Sequence, residues 1–74
     1  MKKGFKVGDR VYVLGVDMDC KQVISRVIFQ GYVKPNEYGL DCLIYDLGIS
    51  TMCSSEELYW TVEELKKETA YDGE

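Results

Sequence analysis

From Arg10 onward the chain alternates. Val11 and Val13 fall on one side of an extended segment, and Tyr12, Leu14 and Val16 on the other, because strand side chains point to opposite faces in turn. This pattern predicts a first strand over residues 10–16, entered through the turn dipeptide Gly8-Asp9. A polar loop holding Asp17 and Asp19 follows, and then a longer alternation over residues 22–34. There Val23, Ser25, Val27, Phe29 and Val33 share one face, and Ile24, Arg26, Ile28, Gln30 and Tyr32 share the other. Apolar groups on both faces predict a strand that bends, with Gly31 as its corner. Pro35 has no amide hydrogen to give a ladder, so residues 34–39 read as a loop.

Two further strands are expected over residues 40–47 and 49–53. Between them Gly48 supplies the positive φ of a tight hairpin turn. A last short strand over 58–60 runs into Thr61-Val62-Glu63-Glu64, a capping box in which the threonine hydroxyl accepts from the third helical amide and the glutamate reaches back. A helix over residues 62–70 is predicted, with Lys66 and Lys67 in its last turn, where cations suit the dipole. So short a helix does not persist alone. Val62 and Leu65, with Thr69, are therefore expected to dock on the barrel or on a partner, and residues 71–74 to form a frayed tail. The expected core is Val7, Val11, Val13, Val27, Phe29, Leu43 or Ile44, and Leu58.

Seventy-four residues make one domain, and one small enough to be marginal without a staple or a partner subunit. The sequence has no histidine, and Cys20, Cys42 and Cys53 lack the close pairing of a zinc site. An odd number of cysteines excludes a full disulfide framework, so the thiols read as reduced and the compartment as cytoplasmic. The basic start Met1-Lys2-Lys3 has no apolar run behind it, so no signal peptide is read, and no segment has the length of a membrane span. The net charge of −4 is unevenly spread. Residues 1–34 carry seven basic groups against three acidic ones, a balance of +4; residues 35–74 carry two against ten, a balance of −8. An acidic chain with a pI near 4.7 is a poor electrostatic match for nucleic acid.

Three phrases taken together resemble a family. They are Lys6-Val7-Gly8-Asp9-Arg10-Val11-Tyr12-Val13, the Asp46-Leu47-Gly48 hairpin, and Glu56-Glu57-Leu58-Tyr59-Trp60-Thr61-Val62-Glu63-Glu64. Their order and spacing are similar to those of small SH3-like barrel proteins of Gram-positive bacteria and their phages. The resemblance spans roughly Phe5–Lys67. It implies a mainly β fold, a five-stranded antiparallel SH3-like barrel with a short C-terminal helix, and it implies no activity. The chain departs from the family pattern at Trp60 and Val62, which flank the threonine where polar residues are usual. Signalling SH3 domains match less well: Leu43-Ile44-Tyr45-Asp46 comes too late in the chain to build their peptide groove.

Chemistry is in short supply. Without histidine there is no Ser-His or Cys-His nucleophile, and no Gly-rich phosphate loop, calcium loop or cofactor motif is present. The expectation is a non-enzymatic, cofactor-free binding module. Its partner is another protein: a host protein, which the chain inhibits as a phage or mobile-element product or engages as an adaptor, or a second copy in a homo-oligomer. Trp60 and Val62, flanked by Tyr32, Lys34 and Tyr38, are the candidate binding face, since Trp and Tyr dominate interface energies. The alternative is an oligomeric sponge for a small nucleotide signal, in which tyrosines stack the base and Lys21, Arg26 or Lys34 meets phosphate. For Trp60 itself the competing reading is structural, a ring that clamps the helix to the sheet.

Overall fold

A computed structural model describes residues 4–71. Five strands form one antiparallel sheet: β1 (Arg10–Val16), β2 (Gln22–Tyr32), β3 (Cys42–Asp46), β4 (Ile49–Cys53) and β5 (Leu58–Tyr59). Their order across the sheet is β4-β3-β2-β1-β5. The chain thus meanders through four strands and then returns β5 to the free side of β1, where Tyr12 faces Tyr59 and Val13 faces Leu58. The sheet is open, so a closed barrel is not formed. A 3₁₀ turn (Ser55–Glu57) precedes β5, and one helix, α1 (Val62–Thr69), follows it.

The bend in β2 falls where the glycine is. Ile28 and Phe29 pair with Tyr45 and Ile44, but the next partner of Leu43 is Gly31, so Gln30 is an inserted residue and the ladder bulges. Gly31 takes φ +137°, closed to most side chains. β2 ends at Tyr32 rather than residue 34, and β3 begins at Cys42 rather than 40, because the intervening loop holds its own backbone. Asn36 Oδ1 accepts from the amides of Tyr38 (2.9 Å) and Leu40 (3.0 Å), and Gly39 N donates to Asn36 O (3.0 Å). The β1–β2 loop repeats this pattern. Asp17 Oδ1 accepts from Asp19 N (2.8 Å) and Lys21 N (3.0 Å), and Cys20 N donates to Asp17 O (3.1 Å). Cys20 (φ +62°) stands where Gly39 (φ +78°) stands in the other loop.

The core is built from Phe5, Val11, Val27, Phe29, Cys42, Ile44, Cys53 and Leu58, with Val13 and Tyr32 packed against it and Leu65 fully buried under α1. One expectation needs correction. Val7 is 74% exposed rather than buried, and Phe5 takes its place at 4%. A tight turn breaks the alternation: Asp9 N donates to Lys6 O (2.9 Å), Lys6 N to Asp9 Oδ2 (2.8 Å), and Gly8 takes φ +96°. Val7 rides on the outside of that turn, out of phase with Val11. Of the pair Leu43 or Ile44, Ile44 is the buried member and Leu43 is half-buried.

α1 starts as its sequence requires. Thr61 Oγ1 accepts from Glu64 N (3.1 Å), while Glu64 Oε1 accepts from Trp60 N (3.0 Å), one residue earlier than in the usual box. Leu65 carries the docking, with Val62 and Thr69 half-buried, and α1 lies against β1 and β5. Ala70 closes the helix in the left-handed region (φ +58°). Tyr71, expected in a frayed tail, is half-buried and donates through its hydroxyl to Gln22 O (3.0 Å). The rest of the expected tail, residues 72–74, lies outside the described residues. A second capping box, not foreseen, closes the 3₁₀ turn: Ser54 Oγ accepts from Glu56 N (3.3 Å) and Ser54 N donates to Glu57 Oε1 (3.3 Å).

Candidate interaction surfaces

Trp60 caps a run of rings. Its centroid lies 4.5 Å from that of Phe5, which lies 5.4 Å from Phe29, which lies 4.9 Å from Tyr32. The Tyr32 hydroxyl accepts from Phe5 N (3.2 Å), so the N-terminal arm is fastened at both its ring and its backbone. Tyr32 is therefore a half-buried strut packed against the core. Trp60 is 41% exposed. It does not stand free: the ring packs against Phe5, and its backbone amide donates to Glu64 Oε1 at the helix cap. Val62 is half-buried at the helix start. Tyr38 and Lys34 are exposed on the β2–β3 loop, Tyr38 at the apex held by Asn36. Of the five expected site residues the structure thus joins Trp60 and Tyr32, through Phe5, and leaves Tyr38 and Lys34 on a separate loop.

A second surface escaped the sequence reading. Because the sheet is open, its concave side forms an apolar trough of about 360 Å³ between the β1–β2 and β3–β4 ends, lined chiefly by Val13, Val23, Val27, Ile44, Leu47 and Ile49. Val16, Leu47 and Ile49 at its rim are 66%, 92% and 62% exposed. Asp46 is the one ionisable side chain of the lining, beside the hydroxyls of Ser25 and Thr51. The tip of the β3–β4 hairpin forms the rim. Leu47 and Gly48 both have positive φ (+51° and +82°), the backbone of a two-residue type I′ turn, which favours Asn-Gly. A leucine in the first turn position was the available signal: it is conformationally awkward there and has nothing of its own chain to bury against.

The polar cluster at the other end of β4 is closed on itself. Asp41 accepts from Ser55 N (3.0 Å) and from Cys42 Sγ (3.4 Å), tying the 3₁₀ turn to β3. Cys42 and Cys53 face each other across β3 and β4, both buried and neither in a disulfide, whereas Cys20 is exposed. Burial pushes the Cys53 thiol up to about 11, with Glu57 and Asp41 adding to the effect. The Tyr59 hydroxyl is pushed up too, first by burial and then by Glu68, Glu64, Glu57 and Glu56. A thiol held this firmly in its neutral form is a poor nucleophile. Among the described residues no group of three His, Cys, Asp or Glu side chains converges to hold a metal, and no helix is long and apolar enough to cross a membrane.

No family model, curated protein or solved structure matches the chain. Its function must be argued from these surfaces alone.

Proposed function

We propose that this chain is a non-catalytic protein-binding module on an SH3-like framework, and that its binding face is the open trough together with the edge of β4. The strand order, with β5 returned to β1, supports the framework. The observation that carries the function is the trough: its lining is mainly apolar, and its rim of Val16, Leu47 and Ile49 is exposed, Leu47 at 92%. Contiguous exposed apolar surface of this kind marks an interaction site. The nucleotide-sponge reading is weaker here. A phosphate needs cationic or amide donors, yet Lys21, Arg26 and Lys34 are absent from the lining, no aromatic ring is available to stack a base, and the charge that is present, Asp46, repels an anion. The Trp60 surface remains a second contact region, smaller because that ring is partly spent on Phe5.

Photo-crosslinking tests the module reading. A benzophenone amino acid at position 47 should give discrete protein adducts in cells expressing the chain, and the same probe at exposed Glu63 should not. A panel of nucleotides and cyclic dinucleotides should leave the melting temperature unmoved. A shift of several degrees with one of them, with no adduct at position 47, would replace this reading by the ligand reading.

A further inference from the structure

We infer that a second copy of the chain pairs along the β4 edge of this face, β4 to β4 about a twofold axis that passes Thr51. The inference rests on the module reading above and names its partner. Four observations lead to it.

The first is the character of the edge. β4 ends the sheet order, and its sequence Ile49-Ser50-Thr51-Met52-Cys53 contains no charge, no proline and no glycine. Its pairing with β3 runs without a register shift. Edge strands are normally blunted by one of these devices, because an unpaired row of N–H and C=O groups is a template for another strand. The opposite edge is blunted: β5 is only two residues long, and α1 packs beside it.

The second is the geometry of the free backbone groups. Asp46 and Ile49 close a two-residue hairpin, so they form a hydrogen-bonded pair and the pairs then alternate along the ladder. The amides of Ile49, Thr51 and Cys53 therefore face β3, and those of Ser50 and Met52 face outward. An antiparallel copy centred on Thr51 sets Ser50 of one chain against Met52 of the other, twice. This engages every outward N–H and C=O of the two residues. Thr51 then meets its own counterpart at a close, non-hydrogen-bonded pair.

The third is the side chains. On the convex side of β4, Ser50 Oγ donates to Gln30 Oε1 (2.8 Å), and Met52 Sδ lies 4.0 Å from Asn36 Nδ2, so these groups are engaged within the chain. On the concave side, Ile49 and Thr51 line the trough and are uncovered. A twofold axis normal to the sheet leaves both concave faces on the same side. It therefore brings the two sets of Leu47, Ile49 and Thr51 into one apolar surface.

The fourth is charge. The acidic residues Glu56, Glu57, Glu63, Glu64 and Glu68 belong to the 3₁₀ turn and α1, at the β5 end of the sheet. Joining two chains of net charge −4 at β4 puts these acidic ends at the far sides of a ten-stranded sheet, where repulsion is screened over distance. A partner at the other edge would have to approach them.

Sedimentation velocity and light scattering on the whole chain test this. The wild type should run at twice its 8.5 kDa chain mass at tens of micromolar. Thr51→Lys places two cations against each other on the axis and should weaken the dimer by about 100-fold or more, the scale of like-charge apposition in an interface. Thr51→Asp should do the same, and an equimolar mixture of the two variants should regain the dimer. Met52→Pro removes only an outward amide, a change that edge strands tolerate, and should also give monomer with the far-ultraviolet spectrum retained. A wild type that stays monomeric overturns the inference, as does a dimer that survives Thr51→Lys and Met52→Pro. If the wild type is monomeric yet position 47 still crosslinks to a different protein, the second copy is refuted while the module reading stands. If nothing crosslinks either, both fall.

Discussion

Leu47→Asn should make the protein more stable and less able to bind. Leu47 sits at φ +51° in the first position of a two-residue turn, with Gly48 at φ +82° in the second. A left-handed backbone costs an ordinary L-residue about 1–2 kcal/mol, and Asn is the residue that turns of this type prefer before glycine. Against that gain stands the burial lost on removing the leucine, which is small because the side chain is 92% exposed. At about 25 cal/mol per Å² of apolar area, covering less than a tenth of a leucine is worth only a few tenths of a kcal/mol. The net expectation is a stabilisation of about 0.5–1.5 kcal/mol, seen as a higher urea midpoint with an unchanged m-value. In a chain of this size each kcal/mol moves the melting temperature by about 4–8 °C. The same substitution removes the most exposed apolar group from the rim of the trough, so self-association should fall. Stability and association moving in opposite directions is the signature of a residue kept for binding at some expense of folding. If Leu47→Asn destabilises the isolated monomer, Leu47 is packed rather than displayed, and the open trough is wrong. If it stabilises the fold and leaves association unchanged, the trough rim takes no part in the interface.

The paired loops give a second prediction: Cys20→Gly should stabilise by about 0.5–1 kcal/mol by relieving φ +62°, and Gly39→Ala should destabilise by about 1–2 kcal/mol, both read from urea titrations. Native protein should expose one rapidly reacting thiol, Cys20, to a chromogenic thiol reagent, with Cys42 and Cys53 reacting only on unfolding. The raised Cys53 thiol also sets a pH dependence: between its ordinary 9.0 and about 11 the unfolded chain loses a proton that the folded chain keeps. Stability should therefore be level below pH 9 and fall by up to about 2–3 kcal/mol by pH 11. Cys53→Ala should remove most of that fall and leave the smaller part due to Tyr59, and an equal slope in the variant would deny Cys53 the role. Trp60→Ala should cost about 2 kcal/mol, less than the 3–5 kcal/mol of a fully buried ring, because 41% of Trp60 already faces water; a loss above 4 kcal/mol in chemical denaturation would make it a true clamp.

What was legible in the sequence was whatever depends on local chemistry. β1 and β4 are found at the residues their alternation marked, and the helix stops one residue short of its expected end. Gly31 is the bend, because only glycine accepts the backbone that the bulge requires. The errors all lie where a backbone hydrogen bond from elsewhere cut a pattern short. Val7 was extrapolated from the phase of Val11, but the Lys6–Asp9 turn resets that phase. Leu40 and Lys34 were drawn into strands, but the side chain of Asn36 had already taken the backbone around Leu40 for its loop. Tyr32 borders the proline loop, and the approach of Phe5, 27 residues earlier in the chain, makes it a half-buried strut.

The binding face was the least legible part, for a physical reason. Trp60 attracted notice by composition, yet a large ring near a helix start is where a chain also finds cover for its own core, and Phe5 claims it. The trough contains no unusual residue at all: valines, isoleucines and a leucine read as core in any alternating strand. Val27 and Ile44 at its floor are core, and only the rim, Val16, Leu47 and Ile49, is surface. Conformational cost separates the two cases. Among the described residues three non-glycines hold positive φ, and Ala70 ends a helix while Cys20 completes a self-bonded loop, each with a local duty that glycine would serve better. Leu47 is the one of the three whose side chain is both large and displayed beside an apolar surface. A turn position that disfavours leucine, filled by leucine and aimed at solvent, gains nothing from the monomer's own packing. Its compensation must lie in binding, and the uncharged edge of β4, two residues on from it, is where a second copy can join and extend the apolar face that Leu47 rims.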